Sequence, residues 1–277
     1  MARKQAFGMI LNKIAHSLRR HDWAAVIVEI VIVIVGILIA LQLENWNQNR
    51  KDMAQGDLWR AAIIEDLRST LRNLEWRIDY YEQALAFAEA SLPALQNREP
   101  FSAEQGWHIV LGAFQAGQIM PFRVGGPTYR EVQAAGALDS IGSRDTLTKL
   151  ANYYEITAND VEVISGGSPP YRDMIREKMP WPLQRYIWGS NCQSQTKSSD
   201  DGGFVFKLEH CAKPDLDEEV VRAVERFRSD IDLQDKLRGR MSQLSIVIAA
   251  FSRNVEQIET IITSLDSQAG KRNRQNL

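Results

Sequence analysis

From Ala24 to Leu41 the chain is apolar with one interruption, Glu29, reading AAVIVEIVIVIVGILIAL. The alternation of Val and Ile suggests a strand, but the run is too long for one, whereas about twenty helical residues at ~1.5 Å each span the ~30 Å core of a bilayer. The pattern predicts a transmembrane helix over 23–45, with Trp23 and Trp46 at the two depths where indole rings sit between hydrocarbon and headgroups. The length disfavours a buried core helix. A cleaved signal peptide has a shorter apolar region, about 7–15 residues, closed by an Ala-x-Ala-like site. Here the run passes into Leu41-Gln42-Leu43-Glu44, which reads as an uncleaved anchor.

The helical period continues beyond the span. Ile64, Leu67, Leu71, Leu74, Ile78, Tyr81, Leu85, Ala88, Leu92 and Leu95 alternate spacings of three and four, the seam of a coiled coil or long bundle helix. Met241, Leu244, Ile248, Phe251, Val255, Ile258, Ile262 and Leu265 repeat that rhythm, preceded by Val220, Val224, Phe227 and Ile231 with a phase break between. Two long helices follow, 47–96 and 215–266. They are nearly equal in length, roughly 75 Å if unbroken, which suggests an antiparallel pair. Gly56, Pro93 and Gly239 are places where either helix can bend or stop, and Asp215 with Glu218 forms a capping pair for the start of the second.

Residues 97–214 hold shorter elements. Ser102 with Gln105 and Thr128 with Glu131 read as capping boxes, and Ser143 opens a helix running through Tyr153 and Tyr154 toward Ile164. From Gly166 to Pro214 the chain is rich in Gly, Pro and Ser, with a turn of helix near 171–178 and short β pairing around GFVFKL. No internal repeat is visible.

Charge adds an orientation. The formal net charge is −2, yet Arg3, Lys4, Lys13, Arg19 and Arg20 face only Asp22 before the apolar run, so residues 1–22 form a basic amphipathic segment on Phe7, Leu11, Ile14 and Leu18, too short for an output domain. Only Arg50, Lys51 and Arg60 follow within twenty residues of the span, which puts the N-terminus in the cytoplasm and 46–277 outside it. The outer part is net acidic, which argues against a nucleic-acid surface. In such a compartment Cys192 and Cys211 pair as a disulfide closing a polar loop.

The candidate chemistry is sparse. His16 and His21 precede the span, and His108 and His210 stand far apart without HExxH, a nucleophile elbow or a phosphate loop, so neither an enzyme, a metal nor a cofactor is expected. Thr128–Glu155 imitates a helix-turn-helix around Gly136 and Leu138, better read as a packed hairpin. Arg123, Gly125, Gly126, Thr128 and Arg130 bring cations and a helix N-terminus together and offer an anion site, although an ordinary glycine turn explains them as well. Trp181, Tyr186 and Trp188 in MPWPLQRYIWG are expected to plug the end of a bundle rather than to anchor a partner. Within the span, Glu29, Val33, Gly36 and Ala40 share a face with Asn47, and Gly36-x-x-x-Ala40 lets a second helix approach. Glu29 otherwise sits near enough to the boundary to reach the inner headgroups. Type IV pilins carry a similar glutamate, but the Gly-Phe-like processing site before it is missing here.

Two blocks resemble a family of uncharacterised bacterial single-span membrane proteins with a domain of unknown function. The first is EIVIVIVGILIALQLENWNQNRK, residues 29–51, and the second is PTYREVQAAGALDSIGSRDTLTKLANYY, residues 127–154. Glu44 departs from the family's Asn. The resemblance implies a domain behind one span and carries over no catalytic residue. The expectation is an all-α, inner-membrane, single-pass protein whose periplasmic helical bundle assembles with the bilayer and with a second copy or another membrane protein. Small-ligand or anion sensing and a pilin-like subunit are the alternatives. No nucleic acid and no known small molecule is expected as a partner.

Overall fold

The computed structural model describes residues 23–189, 192–197 and 204–275, so the basic segment 1–22 lies outside the described residues. It is 81% helical with a small two-stranded sheet, which sets the class as all-α. The chain divides into two compact units that meet between Gly56 and Asp57.

Helix α1 runs Trp23–Gln96. In the first unit it carries the apolar run. In the second it presents the seam inward: Leu67, Leu74, Ala88 and Leu95 are fully buried and Tyr81 almost so. Gly56 and Pro93 both lie within the helix, so neither interrupts it. Pro93 lies in the last turn, where it forfeits one bond to the Glu89 carbonyl, and the helix stops three residues later.

The second long helix is two helices. α8 spans Asp217–Ser229 and α9 spans Ile231–Gln275. The break falls at Asp230, whose carboxylate accepts from the Leu233 N–H at 3.0 Å and so caps α9, while Gly239 sits inside that helix. The predicted Asp215–Glu218 pair is not formed. Leu216 occupies the cap without a side-chain bond, and Asp217, Glu218 and Glu219 favour the first turn through the helix dipole instead. Contacts between α1 and α9 run in opposite order along the two helices: Arg68 lies 3.8 Å from Asp266, and the Tyr81 ring meets Phe251 edge-on at 5.8 Å.

α2, Ala103–Ala116, begins at the expected Ser102–Gln105 capping box and is buried along most of its length. α3, Pro127–Ala134, ends in a Schellman turn: Ala137 N–H reaches Val132 O at 3.1 Å, Gly136 N–H reaches Gln133 O at 3.0 Å, and Gly136 takes φ 66°. α4, Arg144–Asn152, is capped by Ser143 as predicted. A π turn, Tyr153–Thr157, then leads into α5, Ala158–Gly166. That wide turn lets consecutive tyrosines both pack against the core.

α6, Pro170–Lys178, and α7, Trp181–Gly189, precede the hairpin of β1, Gln193–Lys197, and β2, Phe204–Leu208, paired antiparallel with Gln193 opposite Leu208. α2 packs on α8 and α6, and α9 packs on α4, α5 and α6. The aromatic plug is only partly formed. Tyr186 meets Trp107 at 5.7 Å and Trp188 meets Phe114 at 5.8 Å, but Trp181 is 65% exposed.

Candidate functional site

Every side chain from Ile27 to Leu43 is exposed, an arrangement that water would penalise heavily and hydrocarbon would not. The helix is long and apolar enough to cross a membrane, with a mean hydropathy of 2.6 over its best window. Glu29, Val33, Gly36 and Ala40 lie on this surface, and beyond its own stretch of helix backbone a Cβ placed on Gly36 would meet nothing within 4 Å. Trp46, past the C-terminal end of the run, is 63% exposed.

Cys192 and Cys211 form a disulfide, with Cα atoms 4.8 Å apart. Helix α2 holds both ends of it. Gln115 donates to Cys192 O at 2.7 Å, and Trp107 Nε1 donates to Cys211 O at 2.9 Å. The two ends of the loop are thereby tied to the core, and Cys192 is fully buried.

The loop expected to receive an anion is already served from within the chain. The cap of α3 is Gly126, not Thr128, and no Thr128–Glu131 box forms. Asp66, on the facing stretch of α1, accepts from the Thr128 N–H at 3.1 Å and so places a carboxylate at the positive end of α3. Arg123 pairs with Glu162 at 2.5 Å. Gly125 lies open, whereas a Cβ on Gly126 would sit 2.5 Å from Tyr154 Cε1. Arg130 remains at the surface, close enough to Tyr154 for its charge to be felt there. Burial, assisted by Asp66, pushes the Tyr154 phenol above its usual range.

A polar knot at the C-terminus of α2 was not anticipated. Tyr171 donates to Ala113 O at 2.7 Å, Arg240 to Ala116 O at 3.1 Å and Gln118 O at 2.6 Å, and Arg172 to Gly117 O at 3.0 Å. These carbonyls have no partner within their own helix, so three side chains from α6 and α9 complete it. Arg240 is 3% exposed, and among the described residues no carboxylate pairs with it. Desolvation lowers its pKa to about 10, which leaves it charged at neutral pH. A signal existed in the sequence, because Arg240 falls in helical register between Leu237 and Leu244, both fully buried.

The fold also joins groups that the sequence separates. The rings of His108 and His210 are 6.2 Å apart, and His210 packs on Phe87 at 4.9 Å. Next to them a groove of about 490 Å³ runs between α1 and β2, floored by Phe87 and Leu208. A second groove, about 540 Å³, lies between α5 and α9, flanked by Asp160, Arg253 and Glu256. Comparison with protein-family models, curated proteins and solved structures finds no match for this chain. Among the described residues, no buried nucleophile–base pair is formed by the histidines, because both imidazoles are exposed.

Proposed function

We propose that the chain is a membrane-anchored, non-enzymatic assembly or scaffold protein of the bacterial envelope. It crosses the inner membrane once, N-terminus inside, and holds an antiparallel helical bundle in the periplasm. Its partner is a second copy or another membrane protein, met through Glu29, Val33, Gly36 and Ala40. The observation that carries this reading is the run Ile27–Leu43, apolar and exposed on every side, with a glycine that nothing in the chain covers. The resemblance of residues 29–51 and 127–154 to bacterial single-span proteins supports the same setting. Sensing of an external anion is weakened as a reading, since Asp66 and Glu162 already take the Thr128 N–H and Arg123.

The test is a two-hybrid assay of residues 1–50, sensitive to helix association in the inner membrane. Gly36→Ile fills the close-approach position and is expected to abolish the signal. Val35→Ile, about 100° round the helix, is expected to leave it. Equal signals from the two variants refute association through this face.

A further inference from the structure

We propose that the groove between α5 and α9 binds a small zwitterion of the aliphatic α-amino-acid type, its ammonium against Asp160 and Asn254 and its carboxylate against Arg253. The two sides of the groove have matching periods. Thr157, Asp160, Val161 and Ile164 follow the i, i+3, i+4, i+7 spacing of one helical face, and Ala250, Arg253, Asn254 and Gln257 repeat it on α9. Thr157 closes the π turn Tyr153–Thr157, a widening of the helical ladder that recurs at functional sites. The space enclosed is about 540 Å³, within the range of about 300–1,000 Å³ typical of small-molecule sites.

The floor is apolar with one exception. Val161 is 1% exposed and Ala250 5%, and Ile164 is half-buried beside them. Asn254 lines the same groove and is only 4% exposed. Its Nδ2 donates to Ala250 O, one turn back on its own helix, at 3.3 Å, but its Oδ1 has no partner. A buried acceptor left unpaired is costly and rare in folded chains. A donor carried by a ligand supplies the missing bond.

The rims carry both signs of charge. Asp160 stands on the α5 side and Arg253 and Glu256 on α9, all three exposed. Opposite charges line one groove, yet among the described residues none of the three is in an ion pair. Both signs are therefore open to a ligand. The Arg253 guanidinium matches a carboxylate, while the Asp160 carboxylate and the Asn254 oxygen accept from an ammonium, with Glu256 adding to the negative field. Val161, Ile164 and Ala250 leave an apolar floor for an aliphatic side chain. A simple anion would face two carboxylates, and a simple amine would leave Arg253 unused.

The experiment follows the thermal midpoint of full-length protein in detergent micelles with L-alanine, L-valine, L-leucine and L-isoleucine, each at up to about 10 mM. At least one is expected to raise it, by about 3–6 °C at roughly ten times its Kd, and calorimetric titration with that amino acid should give one site per chain. Its N-acetyl derivative, which lacks the ammonium, and its decarboxylated amine should each bind at least about tenfold more weakly. Asp160→Asn and Arg253→Gln should weaken binding by about the same factor. Arg238→Gln, on α9 outside the groove, should bind as the parent does. Asn254→Leu should hold or raise the ligand-free midpoint, because it removes the unpaired oxygen, and still weaken binding. Ligand-free midpoints establish that the variants fold; should one not fold, the two analogues on the parent decide. No midpoint change with any of these amino acids, an analogue that binds as tightly as the amino acid itself, or affinity that survives Asp160→Asn and Arg253→Gln combined overturns the proposal.

Discussion

Gly125 and Gly126 are adjacent and identical, yet replacing each with alanine should have very different costs. A Cβ on Gly125 meets only Pro127 Cδ, at 3.9 Å, an ordinary contact. On Gly126 it meets Tyr154 at 2.5, 2.7 and 3.1 Å, about 1 Å inside the distance at which carbon atoms attract one another. The ring cannot easily retreat. Tyr129 stacks on it at 4.7 Å with planes 20° apart, and Tyr153 abuts it edge-on at 5.1 Å. Overpacking of this kind costs about 1–3 kcal/mol. For a unit of this size that lowers the thermal midpoint by roughly 2–12 °C, at about 2–4 °C per kcal/mol. Gly125→Ala should stay within about 0.5 kcal/mol of the parent. Far-ultraviolet circular dichroism during heating, supported by urea midpoints, measures both. Placing Gly126→Ala in a Tyr154→Ala background should recover most of the loss, because the clash has gone. A Gly126→Ala protein that melts with the parent, or a loss unchanged when Tyr154 is removed, would refute the packing argument.

Replacing Cys192 or Cys211 with Ser should destabilise the protein by about 3 kcal/mol in the chain-entropy model, for bridged residues 19 apart in sequence; non-reducing peptide mapping and urea midpoints check the bond and the loss. Asp230 offers a pH signature. Its carboxyl is held below the usual range, chiefly by the hydrogen bond from Lys178 and then by the Leu233 N–H. A depressed folded pKa contributes stability above the unfolded value of about 3.9 and loses it as pH falls through the lower folded value. Asp230→Asn keeps a capping oxygen and loses only the charge, so it should cost about 0.5 kcal/mol at pH 7 and progressively less as pH falls from about 3.9 through the lower folded value, by urea midpoints across that range.

The features legible in the sequence were those that depend on local spacing. Leu67, Leu74, Leu244, Phe251, Ile258 and Leu265 are fully buried because a three-and-four period places them on one helical stripe. Ser102 and Ser143 cap helices because their hydroxyls reach N–H groups three residues ahead, and Gly136 supplies the one positive φ among the described residues because a Schellman turn demands it. What escaped depends on residues remote in the chain. Thr128 and Glu131 match a capping box, yet Asp66, 62 residues earlier, takes the Thr128 N–H. The seam shows a phase break near Ile231 but not that Asp230 converts it into a helix start. The register of Arg240 with Leu237 and Leu244 hints at its burial but not at the open carbonyls of α2 that it serves. His108 and His210 become neighbours only through the packing of α2 against the disulfide-closed segment.

The knot at the end of α2 sets an order on the making of the protein. Synthesis delivers Ala113 through Gln118 early, but the groups that satisfy their carbonyls come at Tyr171, Arg172 and, 124 residues after Ala116, Arg240. Until then the last turn of α2 carries unpaired carbonyls that favour water over burial. A nascent chain stopped before α9 therefore has an incomplete centre rather than a smaller finished domain. Joining segments this far apart costs only slowly increasing closure entropy, so the delay lies in waiting for the residue to be made. Shortened versions lacking α9 should accordingly be degraded rather than accumulate, and the unit 57–277 behaves as one indivisible object in biosynthesis.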